Sequence, residues 1–163
     1  LLLLPFVRGV RVPPANELLI LGLGYTATAF FEEGIYRGAV LGLMRPVGIW
    51  PAVIVSSLLF GLAHLPNIAL RGNAGLIGLQ AFGAAVEGVG LAALRLRTRT
   101  IWPLIALHLF HDLFLQMGTL PVPMISAIYS TVLLFYGIYL LRPSAQAEME
   151  RDQPAAPHGM AAA

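Results

Sequence analysis

The chain is expected to be an all-α, polytopic transmembrane helix bundle of about five helices. Three observations carry that expectation. Apolar residues make up 58% of the 163 positions and charged residues only 11%, and the mean hydropathy is +0.79. Such a composition belongs to a lipid-embedded chain rather than a soluble domain. Long apolar runs are separated by Pro, Gly and Arg punctuation, and the length allows one domain. Finally, Glu32, Glu33 and Arg37 fall within six residues, between the apolar runs Leu18–Phe30 and Gly38–Met44. A charge at bilayer depth costs about 2.5–3.5 kcal/mol or more, so it persists only with partners or beside a water-filled cavity.

Several chemistries are excluded at once. There is no Cys, hence no disulfide framework, thiolate nucleophile or thiolate metal site. The net charge of +2 is small and dispersed, which leaves nucleic-acid binding without support. All ten basic residues are Arg, a bias we read as that of a prokaryotic genome, so the expected location is a prokaryotic plasma membrane.

Residues 1–14 read as the end of a preceding helix and a linker. The opening Leu1-Leu2-Leu3-Leu4 carries no initiator Met, so upstream sequence with a further spanning helix is expected. Pro5 and Arg8 follow too closely for a signal peptide. The core is expected over 15–142. Asn16 is the expected N-cap of a first helix to about Met44, roughly 40 Å long. A second helix opens with Pro51 in its first turn and ends near His64-Leu65, because Pro66 disfavours helix before it. It is short for a span, so residues 67–75 are expected to dip into the membrane against a protein-lined cavity.

The third helix is expected over about Ala74–Leu96, with Glu87 in its apolar part. The fourth, Ile101–Met117, carries Pro103 in its first turn and then His108, His111 and Asp112. The fifth, about Val122–Leu141, has no ionisable residue and reads as a plain span. Residues 143–163 lack apolar periodicity and are expected to be a disordered cytoplasmic tail. Arg45, Arg95, Arg97, Arg99, Arg142 and Arg151 fall on one side of this layout, Arg8, Arg11 and Arg71 on the other. That bias places the carboxyl terminus in the cytoplasm.

The buried polar residues agree in level. Counted from the ends inferred as cytoplasmic, Glu32 lies roughly 18 Å deep, His64 roughly 21 Å, His108 roughly 10 Å and Asp112 roughly 16 Å. Spacing assigns faces. Glu33 and Arg37 are i and i+4, so they can pair, while Glu32 points about 100° away, with Thr28 and Tyr36. His108 and Asp112 are likewise i and i+4 and can face one cavity. His111 borders it, as a partner of Asp112 or as a packing residue. Glu87, with Gly83, Gly88 and Gly90 nearby, is expected to make an interhelical contact.

Glu32-Glu33-x-x-x-Arg37, then Phe60-x-x-x-His64, then His108-x-x-x-Asp112, in that order on successive apolar helices, resembles the CPBP family. These are the CAAX-protease and bacteriocin-processing intramembrane endopeptidases, also called the abortive-infection family. The lead-in Arg97-Thr98-x-Thr100-Ile101-Trp102-Pro103 is similar as well. Each motif alone is weak; the ordered set is specific.

The resemblance implies a membrane bundle that hydrolyses peptide bonds of membrane-associated protein or peptide substrates. It implies that Glu32 and His64 activate the attacking water, that His108 and Asp112 act at the scissile carbonyl, that Glu33–Arg37 braces the first helix and that Phe60 packs beside the site. Two arrangements stay open: a metal-free one, in which each motif residue has one task, and a zinc cofactor with Glu32, His64 and His108 as ligands and Asp112 behind His111 or as a fourth. The chain departs from the family in having Asp112 where Asn is more frequent, Arg99 where a small residue is usual, and His111 and Glu87 as additions. Two rival classes remain: a non-catalytic immunity or scaffold protein of the same fold, and a small proton-linked transporter. The intact Glu32, His64 and His108 set disfavours the first, and the lack of a visible inverted repeat disfavours the second.

Overall fold

The computed structural model describes residues 1–143. Within them α1 (Ala15–Glu33), a wide-turn π segment (Gly34–Val40) and α2 (Leu41–Met44) follow without a break. After them come α3 (Ile49–Leu62), the short α4 (Asn67–Arg71), α5 (Ala74–Thr98), α6 (Trp102–Met117) and α7 (Val122–Leu140). No strand forms among the described residues; Val10 and Gly118 make an isolated bridge. The expected bounds hold to within two or three residues, because apolar runs bounded by Pro, Gly and Arg leave little latitude. Asn16 is an exception: α1 starts at Ala15 with Pro14 in the cap position, which places Asn16 in the first turn. The expectation for 143–163 falls, apart from Pro143, outside the described residues.

Four stretches are long and apolar enough to cross a membrane: Ala15–Val47, Ile49–Arg71, Ala74–Thr98 and Val122–Leu140. The second reaches full length because α4 continues α3 after a turn at Ala63–Pro66. Residues 67–71 are thus helical, and their backbone groups are satisfied as lipid requires. Gly72 stops α4 in the left-handed region at φ 67°. Asn73 then caps α5, its Oδ1 accepting from the Leu76 amide at 3.0 Å, the usual way to satisfy an orphan N–H.

α5 lies between α3 and α7. On the α3 side, a Cβ on Gly61 would sit 2.5 Å from the Ala81 carbonyl oxygen. On the α7 side, a Cβ on Gly137 would sit 2.8 Å from the Gly90 Cα. Backbones this close need glycine, and close approach is how helices gain packing energy where lipid tails compete for apolar contacts. The core at the Arg95–Arg99 end gathers Leu41, Ile49, Ala52, Val53, Ala92, Ala93, Leu140 and Leu141. Successive spans therefore alternate in direction, as the arginine count assumed.

Residues 1–14 pack on the bundle rather than hanging free. The ring centroids of Phe6 and Phe114 are 4.9 Å apart, and the Arg11 amide donates to the Met117 carbonyl at 2.8 Å. The Thr119 amide donates to the Pro5 carbonyl at 3.3 Å. This strap closes over the far end of α6.

Candidate active site

Three helices, α1, α3 and α6, meet at His108. From α6, its Nδ1 lies 2.9 Å from Glu33 Oε1 at the end of α1. Its Nε2 lies 3.6 Å from Glu32 Oε2 and 3.6 Å from Asp112 Oδ2. A carboxylate only accepts, so the Nδ1–H donates to Glu33 and Nε2 is the edge that addresses Glu32 and Asp112. The i, i+4 relation anticipated from spacing brings His108 and Asp112 to one face.

Glu33 Oε1 also receives Arg37 Nη1 at 3.3 Å, the pair being fully buried. The ion pair expected from spacing forms, and the same Glu33 Oε1 also meets His108 Nδ1. The π segment matters here. Its Tyr36 carbonyl accepts from Ser56 Oγ at 2.8 Å, which ties the widened turn to α3. Beneath it the Arg37 guanidinium lies 4.0 Å from the Phe60 ring centroid, a cation–π contact strengthened by desolvation.

Phe60 is buried as expected and is a hub. Its ring meets those of Tyr36, His64 and His108 edge-on, at centroid distances of 5.4, 5.2 and 6.0 Å. His64 joins the set through Phe60, and its Nδ1 lies 3.0 Å from the Phe60 carbonyl oxygen. Since a carbonyl cannot donate, that nitrogen carries the proton and Nε2 is left as the working edge. Glu32 and Asp112 are the accessible carboxylates, at 29% and 27% side-chain exposure, against none for Glu33.

Among the described residues no three His, Asp or Glu side chains are arranged to hold a metal ion. Glu32, His64 and His108 therefore do not make a zinc ligand set as they stand.

One participant, Tyr129, escaped the sequence reading. Tyr129 of α7 stacks face to face on His111, with centroids 3.8 Å apart and planes within 7°, so α7 is more than a plain span. Glu87 makes the anticipated interhelical contact, and its partner is His111, with Oε1 3.8 Å from Nδ1. A tyrosine and a serine side by side in an apolar helix, Tyr129-Ser130, were the available signal.

Residues 14–114 match a protein family described as type II CAAX prenyl endopeptidase Rce1-like. The chain belongs to this family. The match runs from the cap of α1 through most of α6, and so takes in Glu32, Glu33, Arg37, Phe60, His64, His108 and Asp112. Neither the curated proteins nor the solved structures yield a match to the chain. Membership of the type II CAAX prenyl endopeptidase family makes this an intramembrane-protease fold. Together with the four apolar spans, it makes the chain a multi-pass membrane protein set in a lipid bilayer.

Proposed function

We propose that the chain is an intramembrane endopeptidase that cleaves membrane-associated protein or peptide substrates with a water activated by Glu32 and His64. The observation that carries the reading is the placement of His108. Glu33 fixes it through Nδ1 at 2.9 Å, which aims Nε2 at the two accessible carboxylates.

In this reading Glu32 takes a proton from the water as its oxygen bonds to the scissile carbonyl carbon, and the Nε2 of His64 accepts from the other O–H. His108, its Nδ1–H held by Glu33 and a second proton on Nε2 beside Glu32 and Asp112, donates from Nε2 to the developing oxyanion, a stabilisation that gains strength where water is scarce. The proton held by Glu32 passes to the amide nitrogen as the C–N bond breaks, releasing an acid and an amine. Asp112 steers His108. Buried Glu33 and Arg37 hold the arrangement without touching the substrate. The family's name, type II CAAX prenyl endopeptidase, puts a prenylated carboxyl-terminal peptide first among the substrates to try.

The test uses two quenched fluorescent peptides in liposomes, one prenylated at its carboxyl terminus and one an unprenylated membrane-spanning peptide. Glu32→Gln is expected to lower turnover roughly 10²- to 10⁴-fold, the usual worth of a general base, while the protein stays folded. Full activity in the folded variant, or no cleavage of either peptide by the parent protein, removes the proposal. We also assign the Arg95–Arg99 turn to the cytoplasm on the arginine bias. A cysteine at Thr98 in this Cys-free chain should resist an impermeant thiol reagent added outside intact cells; labelling there reverses the topology.

A further inference from the structure

His111 has no task in the hydrolytic scheme, yet its surroundings are specific. Its Nδ1 lies between two carboxylates from different helices, 3.8 Å from Glu87 Oε1 of α5 and 3.7 Å from Asp112 Oδ1 on its own helix. The ring plane is set by the Tyr129 stack from α7. His111, Glu87 and Tyr129 are all buried. Among the described residues, His111 Nε2 and Tyr129 Oη have no hydrogen-bond partner. Asp112 in turn faces two imidazoles with its two oxygens, Oδ1 toward His111 Nδ1 and Oδ2 toward His108 Nε2. One carboxylate thus links the hydrolytic centre between α1 and α6 to a second polar group between α5, α6 and α7.

We propose that Glu87, His111 and Tyr129 are positioning residues that act on hydrolysis through Asp112. Tyr129 holds the His111 ring flat. Nδ1–H is set almost midway between its two acceptors, slightly beyond hydrogen-bond range of both. A small shift of the ring brings that donor onto Asp112 Oδ1 and fixes the carboxylate with Oδ2 toward His108; contacts of this kind commonly tighten only with substrate bound. Glu87 competes for the same N–H, so it sets how firmly Asp112 is held. Both carboxylates press on one donor, and neither can take it without releasing the other. The inference rests on Asp112 belonging to the hydrolytic centre proposed above.

The test compares His111→Leu, which removes the donor, with His111→Gln, which keeps an N–H on a side chain of similar reach. With the better of the two liposome peptides as substrate, His111→Leu should lower kcat roughly tenfold to a hundredfold, the scale of a misplaced catalytic group. KM should stay within about twofold and the melting temperature in detergent should hold. His111→Gln should recover most of the loss, and Glu87→Gln should change kcat and not KM. A second readout needs no turnover. The carboxyl infrared band that disappears in Asp112→Asn should shift in His111→Leu and return toward its original frequency in His111→Gln.

An unchanged kcat, a loss that tracks melting temperature, or an Asp112 band indifferent to His111 each overturns the positioning role. If the parent protein cleaves neither peptide, the hydrolytic reading fails, and the infrared band alone still decides whether His111 governs Asp112.

Discussion

α1 and α5 are both long membrane helices, and they are held in the bundle by opposite means. α5 is clasped on two sides through glycine and alanine, with Gly61 and Gly137 admitting neighbouring backbones to contact. The span that begins with α1 is 11% buried against 44% for α5, and it exposes Leu19, Ile20, Leu23, Phe30 and Phe31. Half of what it buries is polar: beside Ala29 and Leu41 lie Glu33 and Arg37, joined to α6 through His108 and to α3 through Phe60 and Ser56. Apolar packing cannot select one azimuth for a helix whose every face suits lipid. Directed contacts can, and in α1 the residues that set the azimuth adjoin those that would do the chemistry.

Breaking the directed side should have the larger effect. Arg37→Met leaves Glu33 buried without its cation, and losing one partner of a buried pair costs about 3–5 kcal/mol. A large drop in detergent melting temperature is expected, with activity lost alongside. Retention of both would mean that α1 is seated by lipid-facing packing after all. Gly90→Leu strikes the packed side. It forces α5 from α7 and should cost about 1–3 kcal/mol, the usual price of overpacking. Turnover per folded molecule should fall by no more than the roughly tenfold to hundredfold expected of His111→Leu, because Glu32, His108 and Asp112 lie on α1 and α6 and only the Glu87, His111 and Tyr129 group spans the disturbed interface. A larger loss in a well-folded Gly90→Leu protein would erase the division of labour. The smallest effect is expected from metal removal: exhaustive chelation should leave cleavage unchanged. Loss on chelation with recovery on adding zinc would instead make His64 and His108 ligands.

The helices were legible because lipid imposes a simple code of long apolar runs, with Pro51 and Pro103 inside first turns. The level of the site was legible for a related reason. A rise of about 1.5 Å per residue converts sequence position into depth, so Glu32, His108 and Asp112 could be placed together before any contact was known. Azimuth between helices was not. A helical wheel paired Glu33 with Arg37 and stopped there. The bond from Glu33 to His108 depends on how α1 and α6 face each other, which no local spacing encodes. Tyr129 was missed for the same reason: its meaning comes from the His111 ring on another helix. The packing of residues 1–14 escaped because Pro and Gly there signal an irregular backbone without saying what it touches.

The π segment between Glu33 and Leu41 has a consequence of an arithmetical kind. A turn closed five residues back takes up one residue more than an α turn, and each residue of an α-helix is worth about 100° of rotation. The stretch Gly34–Val40 is therefore a phase shifter. On one side of it the helix presents Glu32 and Glu33 to α6; on the other, Leu41 to the core near α3 and α5. Shortening this stretch by one residue would let it close as a regular α turn and leave the two halves in step. Closing it as an α turn at its present length would instead put them out of step by about a quarter turn, so that only one of them could face inward at a time. The working geometry is stored in the wide turn, which the Ser56 hydroxyl ties to α3 through the Tyr36 carbonyl.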